Sequence, residues 1–177
     1  MQRWMLLIPA VLALAPSAAT DRRAWDGSEF VGTWCLDRIT DGRRTRDDLD
    51  ETLRIEVDGN RIRFDYSIDD RFGERRLELE APLDDTPTAQ QVQGREAVFR
   101  ATLTDDLLIW ELERNAPFGE IRNRREMRIA AGGNALESTR YNLEKNGEVD
   151  SQWSETWLRV SAEGSRKPGE SNCAARA

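Results

Sequence analysis

Phe30-Val31-Gly32-Thr33-Trp34-Cys35-Leu36 is the stretch that decides how this chain folds. Phe30, Gly32 and Trp34 share one parity, while Val31, Thr33 and Cys35 take the other. That is the two-residue period of a β-strand, whose side chains alternate between faces. If Trp34 points into a core, Cys35 points away from it.

Working outward, the same period recurs. Leu53, Ile55 and Val57 alternate with Arg54 and Glu56, Asp58-Gly59-Asn60 turns the chain, and Ile62, Phe64, Tyr66 and Ile68 alternate with polar residues. Two period-2 runs around a glycine turn predict a hairpin. Further strands follow around Leu77–Leu79, Gln91–Gln93, Ala97–Leu103, Leu108–Leu112, Met127–Ile129, Leu136–Leu143 and Val149–Val160. Between them, Thr40–Glu51 reads as an exposed loop with room for one helical turn, Asp69–Glu74 as a turn, Pro82–Thr88 as a loop, and Asn115–Asn123 as a longer one. No stretch has a helical period, so no crossover helix is available and the connections must be antiparallel hairpins. About eight to ten sequential strands remove their exposed edges most easily by closing into an up-and-down barrel. The expected fold is therefore an all-β, antiparallel up-and-down β-barrel, with an open sandwich as the second architecture.

Composition agrees with a sheet that is wet on one face. Of 177 residues, 38% are hydrophobic and 33% charged, and the mean hydropathy is −0.70, so a core must be drawn from every second position. The net charge of −7 repels phosphate backbones, which argues against a nucleic-acid partner. Arg122, Arg124, Arg125 and Arg128 form a local basic cluster, but beside Glu120 and Glu126 they read as a mixed solvated face.

The first 19 residues read as an export signal. Arg3 is a short positive region, Trp4–Leu14 an apolar run, and Ser17 and Ala19 suit the small-residue positions before a cleavage point. The run is too short for the roughly 20 residues that span a bilayer. The expected organisation is a signal peptide over 1–19, a polar lead-in over 20–29, the barrel over 30–160, and a tail over 161–177. The mature protein is expected in the periplasm or medium of a bacterium, without a membrane span.

The motif Gly32-Thr33-Trp34, opening an all-β exported chain, resembles the lipocalin signature and the wider calycin group, and in particular small bacterial secreted lipocalin-like domains of unknown function. In that group the tryptophan plugs the closed end of the barrel and an arginine from a late strand packs across its ring. The resemblance implies barrel closure by Gly32, Trp34 and an arginine, for which Arg159 is preferred over Arg140. It also resembles exported bacterial inhibitors of metalloproteases, which implies a second role for Thr20–Glu29 as an inserting segment.

Little else carries chemistry. The chain has no histidine, which removes the usual triads, the usual zinc and haem ligands, and the commonest neutral-pH base. Asp69-Asp70, Asp84-Asp85 and Asp105-Asp106 read as turn residues. Cys35 and Cys173 are the only cysteines, and in an oxidising compartment they read as a disulfide strapping the tail to the outer wall, worth at most ~4–5 kcal/mol. Inward aromatics, Trp34, Phe64, Tyr66, Phe99, Trp110, Trp153 and Trp157, either fill the barrel or line a cavity, and Tyr141 belongs to the same aromatic set. Trp153 and Trp157 share a face with Glu155 and Arg159; were that face inward, a polar-headed ligand would follow. The functional expectation is non-enzymatic binding of a small, partly apolar or amphipathic ligand, without a cofactor or metal. The alternative is a filled barrel that binds an exported protein partner or inhibits a protease.

Overall fold

The computed structural model describes residues 26–41, 45–46, 50–70, 73–116 and 119–160. The expected signal peptide, the Cys173 tail and most of the lead-in lie outside these residues. Among the described residues, a 3₁₀ turn, Ser28–Phe30, leads into eleven strands. They are β1 (Gly32–Thr40), β2 (Thr45–Arg46), β3 (Asp50–Asp58), β4 (Arg61–Asp70), β5 (Gly73–Pro82), β6 (Thr88–Val92), β7 (Arg95–Thr104), β8 (Leu107–Ala116), β9 (Gly119–Ile129), β10 (Ala135–Leu143) and β11 (Val149–Arg159).

Every pairing is antiparallel, and the order is β5-β4-β3-β1-β11-β10-β9-β8-β7-β6, with β2 laid on β1. The ten long strands make an up-and-down, nearly closed barrel, as the alternation of the sequence required. The two ends of the sheet, β5 and β6, meet at a seam where the carboxamide of Gln90 accepts a hydrogen bond from the Glu80 N–H at 3.3 Å. A side chain there stands in for a strand ladder. Below the seam, the chain between β5 and β6 is held by an Asp84–Thr102 bridge and by the Asp85 N–H donating to the Ala101 carbonyl at 2.9 Å.

Three loops of the sequence reading are shorter than expected. The expected Asn115–Asn123 loop is strand on both sides, with β8 running to Ala116 and β9 starting at Gly119. Polar residues at inward positions, Asn123 and Arg125, hid the alternation from hydropathy. Likewise β4 reaches Asp70 and β5 begins at Gly73, so Asp69-Asp70 is strand and not turn. Over Thr40–Glu51, Thr40 closes β1, Thr45–Arg46 pairs back on it, and β3 starts at Asp50.

A bulge in β1 shapes the core. The register against β11 shifts between Leu36 and Arg38, so Leu36 lies opposite Trp157 and Ile39 opposite Glu155. The extra residue lets Trp34, Leu36 and Ile39 all pack on the core, although strict alternation would turn Ile39 outward. At the Gln93-Gly94 turn between β6 and β7, both residues have positive φ, 53° and 75°. That is the backbone two-residue hairpins use to match the strand twist.

The core fills the half of the barrel that begins at Phe30. Phe30, Trp34, Leu53, Ile55, Ile62, Phe64, Phe99, Leu108, Met127, Leu136 and Trp157 are each wholly inaccessible to solvent. Burying a side chain of this size stabilises by about 1.5–3 kcal/mol before entropy is subtracted. Rings from opposite walls touch across the middle: Phe64 meets Phe99 edge-on at 5.8 Å, and Tyr66 meets Trp110 at 6.4 Å and Trp157 at 6.3 Å. This half of the barrel is solid.

Candidate functional site

The lower end is shut by a clasp built on the opening motif. The Trp34 indole N–H donates to the Phe30 carbonyl at 2.9 Å, and the Arg159 guanidinium lies over the Trp34 ring, 4.1 Å from its centre. The same guanidinium donates to the carbonyls of Val31 at 2.6 Å, Glu29 at 2.7 Å and Gly133 at 3.1 Å. Gly32 makes room for it. Its φ is +146°, and a Cβ there would sit 2.8 Å from Arg159 Nη1. Arg140 lies elsewhere, stacked on Trp153 at 4.9 Å. This end of the barrel is a lock.

The other end is different in kind. Continuing the inward positions upward gives Asn123 and Arg125 on β9, Ser138, Arg140 and Asn142 on β10, and Ser151, Trp153 and Glu155 on β11. The strand registers set them side by side: Arg140 lies opposite both Arg125 and Trp153, Ser138 opposite Glu155, and Asn142 opposite Asn123 and Ser151. The deepest members are closed to solvent, Arg125 and Glu155 at 2% exposure each. Nearer the rim, Arg140, Asn142, Ser151, Trp153 and Glu51 are only half-buried although they face inward, so solvent enters the barrel from this side.

Arg125 and Glu155 form the floor of that upper chamber. Arg125 Nη2 donates to Glu155 Oε1 at 3.0 Å and Nη1 donates to the Tyr66 hydroxyl. Its Cζ lies 5.0, 5.3 and 5.6 Å from the rings of Tyr66, Trp110 and Trp157. Glu155 accepts three more hydrogen bonds, from Ser138 Oγ at 2.9 Å and from the indole N–H groups of Trp153 and Trp157 at 3.2 Å each. A buried charge persists only with such partners. Burial works against Arg125's charge, but Glu155, Tyr66 and Glu51 outweigh it and hold its pKa above the usual guanidinium value.

Tyr66 is pushed up to about 12, by burial first, which outweighs the opposing pull of Arg125. A raised pKa contributes stability that is complete below pH ~10 and lost as pH climbs through the folded value. The fold should therefore lose stability between pH ~10 and ~12, and Tyr66→Phe should abolish that part of the loss. Phenolate absorbance recorded beside a melting curve checks it; a Tyr66 that ionises at an ordinary value would contradict the buried placement. Glu51, facing the chamber from β3, is likewise raised, by burial.

The residues singled out from the sequence thus divide. Gly32, Trp34 and Arg159 meet at the lock; Phe64, Tyr66, Phe99, Trp110 and Trp157 interlock in the filled middle; Trp153 alone of the aromatic set stands at the chamber wall. Tyr141 is on the outer face, 3.5 Å from Glu126. Cys35 is 3% exposed, and Cys173 lies outside the described residues. The basic cluster has to be divided too. Arg122, Arg124 and Arg128 pair with Glu113, Glu126 and Asp106 on the outer face, but Arg125 is not solvated at all. Its parity with Met127, two residues on in a strand whose apolar face is inward, was the available signal. No cluster of potential metal ligands occurs among the described residues.

No protein-family model and no curated protein matches the chain. Solved structures do. Apo lipid binding protein 8 from Caenorhabditis elegans superposes with a TM-score of 0.55 at 13% identity, over 75% of this chain and 96% of that one. This is a lipocalin-like barrel. Secretory abundant heat soluble protein 4 from Ramazzottius varieornatus superposes with a TM-score of 0.54 at 15% identity, over 77% and 99%. At such identities the lipocalin-like barrel shares their fold, and its chemistry must be read from its own residues.

Proposed function

We propose that the barrel is a non-enzymatic binding protein that takes a small, partly apolar molecule through its upper end. The observation that carries this is the change of lining above Arg125: a solid apolar half gives way to inward-facing polar side chains that solvent reaches. A barrel selected only for stability gains nothing by keeping charges inside, since their desolvation offsets their pairing. The Caenorhabditis elegans protein of the same fold is named for lipid binding, which supports the reading by analogy. The absence of histidine supports a binding role over catalysis, as does the tying of both Tyr66 and Glu155 into hydrogen bonds.

In this proposal the protein works outside the bacterial cytoplasm. The signal-like Met1–Ala19 supports export, to the periplasm or the medium, and the Cys35–Cys173 pair supports a disulfide suited to that compartment. The tryptophans beyond Ala19, Trp25, Trp34, Trp110, Trp153 and Trp157, make ligand entry visible. A panel of amphipathic molecules should shift the emission, through Trp153 first, and raise the melting temperature. No response across the panel, in emission or melting, would sink the binding reading. The packed lower half favours a second reading, a barrel that presents its outer wall to an exported protein partner; that one survives an unresponsive panel.

A further inference from the structure

In the upper chamber Arg125 and Glu155 answer each other's charge, 3.0 Å apart. Both oxygens of Glu155 are taken, Oε1 by Arg125 and Trp153, Oε2 by Ser138 and Trp157. Arg125 has spent its two terminal nitrogens on Glu155 and Tyr66. The fold has thus supplied the deep guanidinium with an anion of its own, and a ligand reaching the floor meets a neutralised pair.

Arg140 has no such arrangement. It faces inward next to Arg125, one strand over, and stands closer to the rim. Among the described residues its guanidinium makes no hydrogen bond or ion pair, and it lies over the Trp153 ring at 4.9 Å. Its Nε is buried and without a hydrogen-bond partner. Burial and then the like charge of Arg125 press its pKa below the usual guanidinium value, with the carboxylates of Glu155 and Glu51 and the phenol of Tyr66 acting in the opposite sense. A partly desolvated guanidinium with open donors favours an anion, and its planar fork fits an oxyanion with two coplanar oxygens.

We infer that Arg140 is the recognition residue of the chamber and receives the anionic oxyacid head, a carboxylate in the simplest case, of an amphipathic ligand whose apolar part lies along Trp153. The inference rests on the binding reading above and adds the chemical class of the ligand. It places the head near the rim, above the Arg125–Glu155 floor.

Three probes of equal chain length separate the possibilities: octanoate, 1-octanol and octyltrimethylammonium, titrated by tryptophan emission into the wild-type protein, Arg140→Gln and Arg140→Lys. Octanoate should bind the wild type about ten- to a hundred-fold tighter than 1-octanol, and the cation should bind weakest. Arg140→Gln should erase the octanoate preference while keeping 1-octanol affinity, and Arg140→Lys should keep part of it. If Arg140→Gln does not fold, the ranking of the three probes on the wild type decides. Equal binding of octanoate and 1-octanol overturns the inference and leaves the binding reading standing, as does a preference that persists in Arg140→Gln. Failure of all three probes to bind overturns both.

Discussion

Glu155→Ala should cost about 3–5 kcal/mol of folding stability, because it strands Arg125 as an unpaired charge among three aromatic rings. It also leaves the N–H groups of Trp153 and Trp157 without their acceptor. At about 2–4 °C per kcal/mol for a chain of this size, the melting temperature should fall by about 6–20 °C. Arg125→Met should cost a similar amount, since it leaves the carboxylate buried instead. The double variant is the informative one. With both charges gone, it should be more stable than either single variant, because desolvation is no longer demanded of an unmatched group. A double variant as unstable as the sum of the two would mean that the pair acts as two independent packing residues.

The second large effect belongs to the lock. Arg159→Ala should destabilise by about 2–3 kcal/mol, through loss of the stack on Trp34 and of three charge-assisted hydrogen bonds to carbonyls. Arg159→Lys should recover little of it: an ammonium cannot reach carbonyls on Glu29, Val31 and Gly133 from one position over a ring. Gly32→Ala should approach the same cost by a different route, expelling the guanidinium with its new Cβ and straining a positive φ. Combining Gly32→Ala with Arg159→Ala should cost clearly less than the sum, since both remove one contact. Chemical denaturation measures all four; additivity within about 0.5 kcal/mol would show that Gly32 and Arg159 are not coupled.

These two sites differ in how far the sequence announced them. The lock was legible because it is local in pattern: a Gly-x-Trp at the start of the first strand and an arginine on the last, both at positions where alternation fixes the face. The polar chamber was legible only in fragments. Glu155, set between Trp153 and Trp157, could be placed on a shared face, but which way that face pointed depended on a register with β1 and β10 that no single strand encodes. Arg125 was misread, because a charged residue inside a run of arginines is outward in nearly every sheet, and only its step of two from Met127 said otherwise. The bulge after Leu36 was invisible for a similar reason: an extra residue declares itself in the pairing of two strands and not in either alone. The strands between Asn115 and Asn123 were missed where inward positions are polar, which is also where the chamber lies.

The seam between β5 and β6 has a kinetic consequence. Because the ladder breaks in the middle of the chain, β1 with β3–β5 and β6–β11 are two meanders, each made of neighbours in sequence. They share one long ladder, β1 with β11, where Trp34 meets Arg159 and the Val160 N–H reaches the Thr33 carbonyl at 2.8 Å. Each meander can form from short loops at small entropic cost, whereas that ladder must bring together the two ends of the domain. Joining them is therefore expected to be the slow step, and the partner that completes it is the opening motif. Mutations at Gly32, Trp34 or Arg159 would act on stability chiefly by changing how long the closed ring lasts if the ladder is still unformed in the transition state, and on the rate of closure if it is already there.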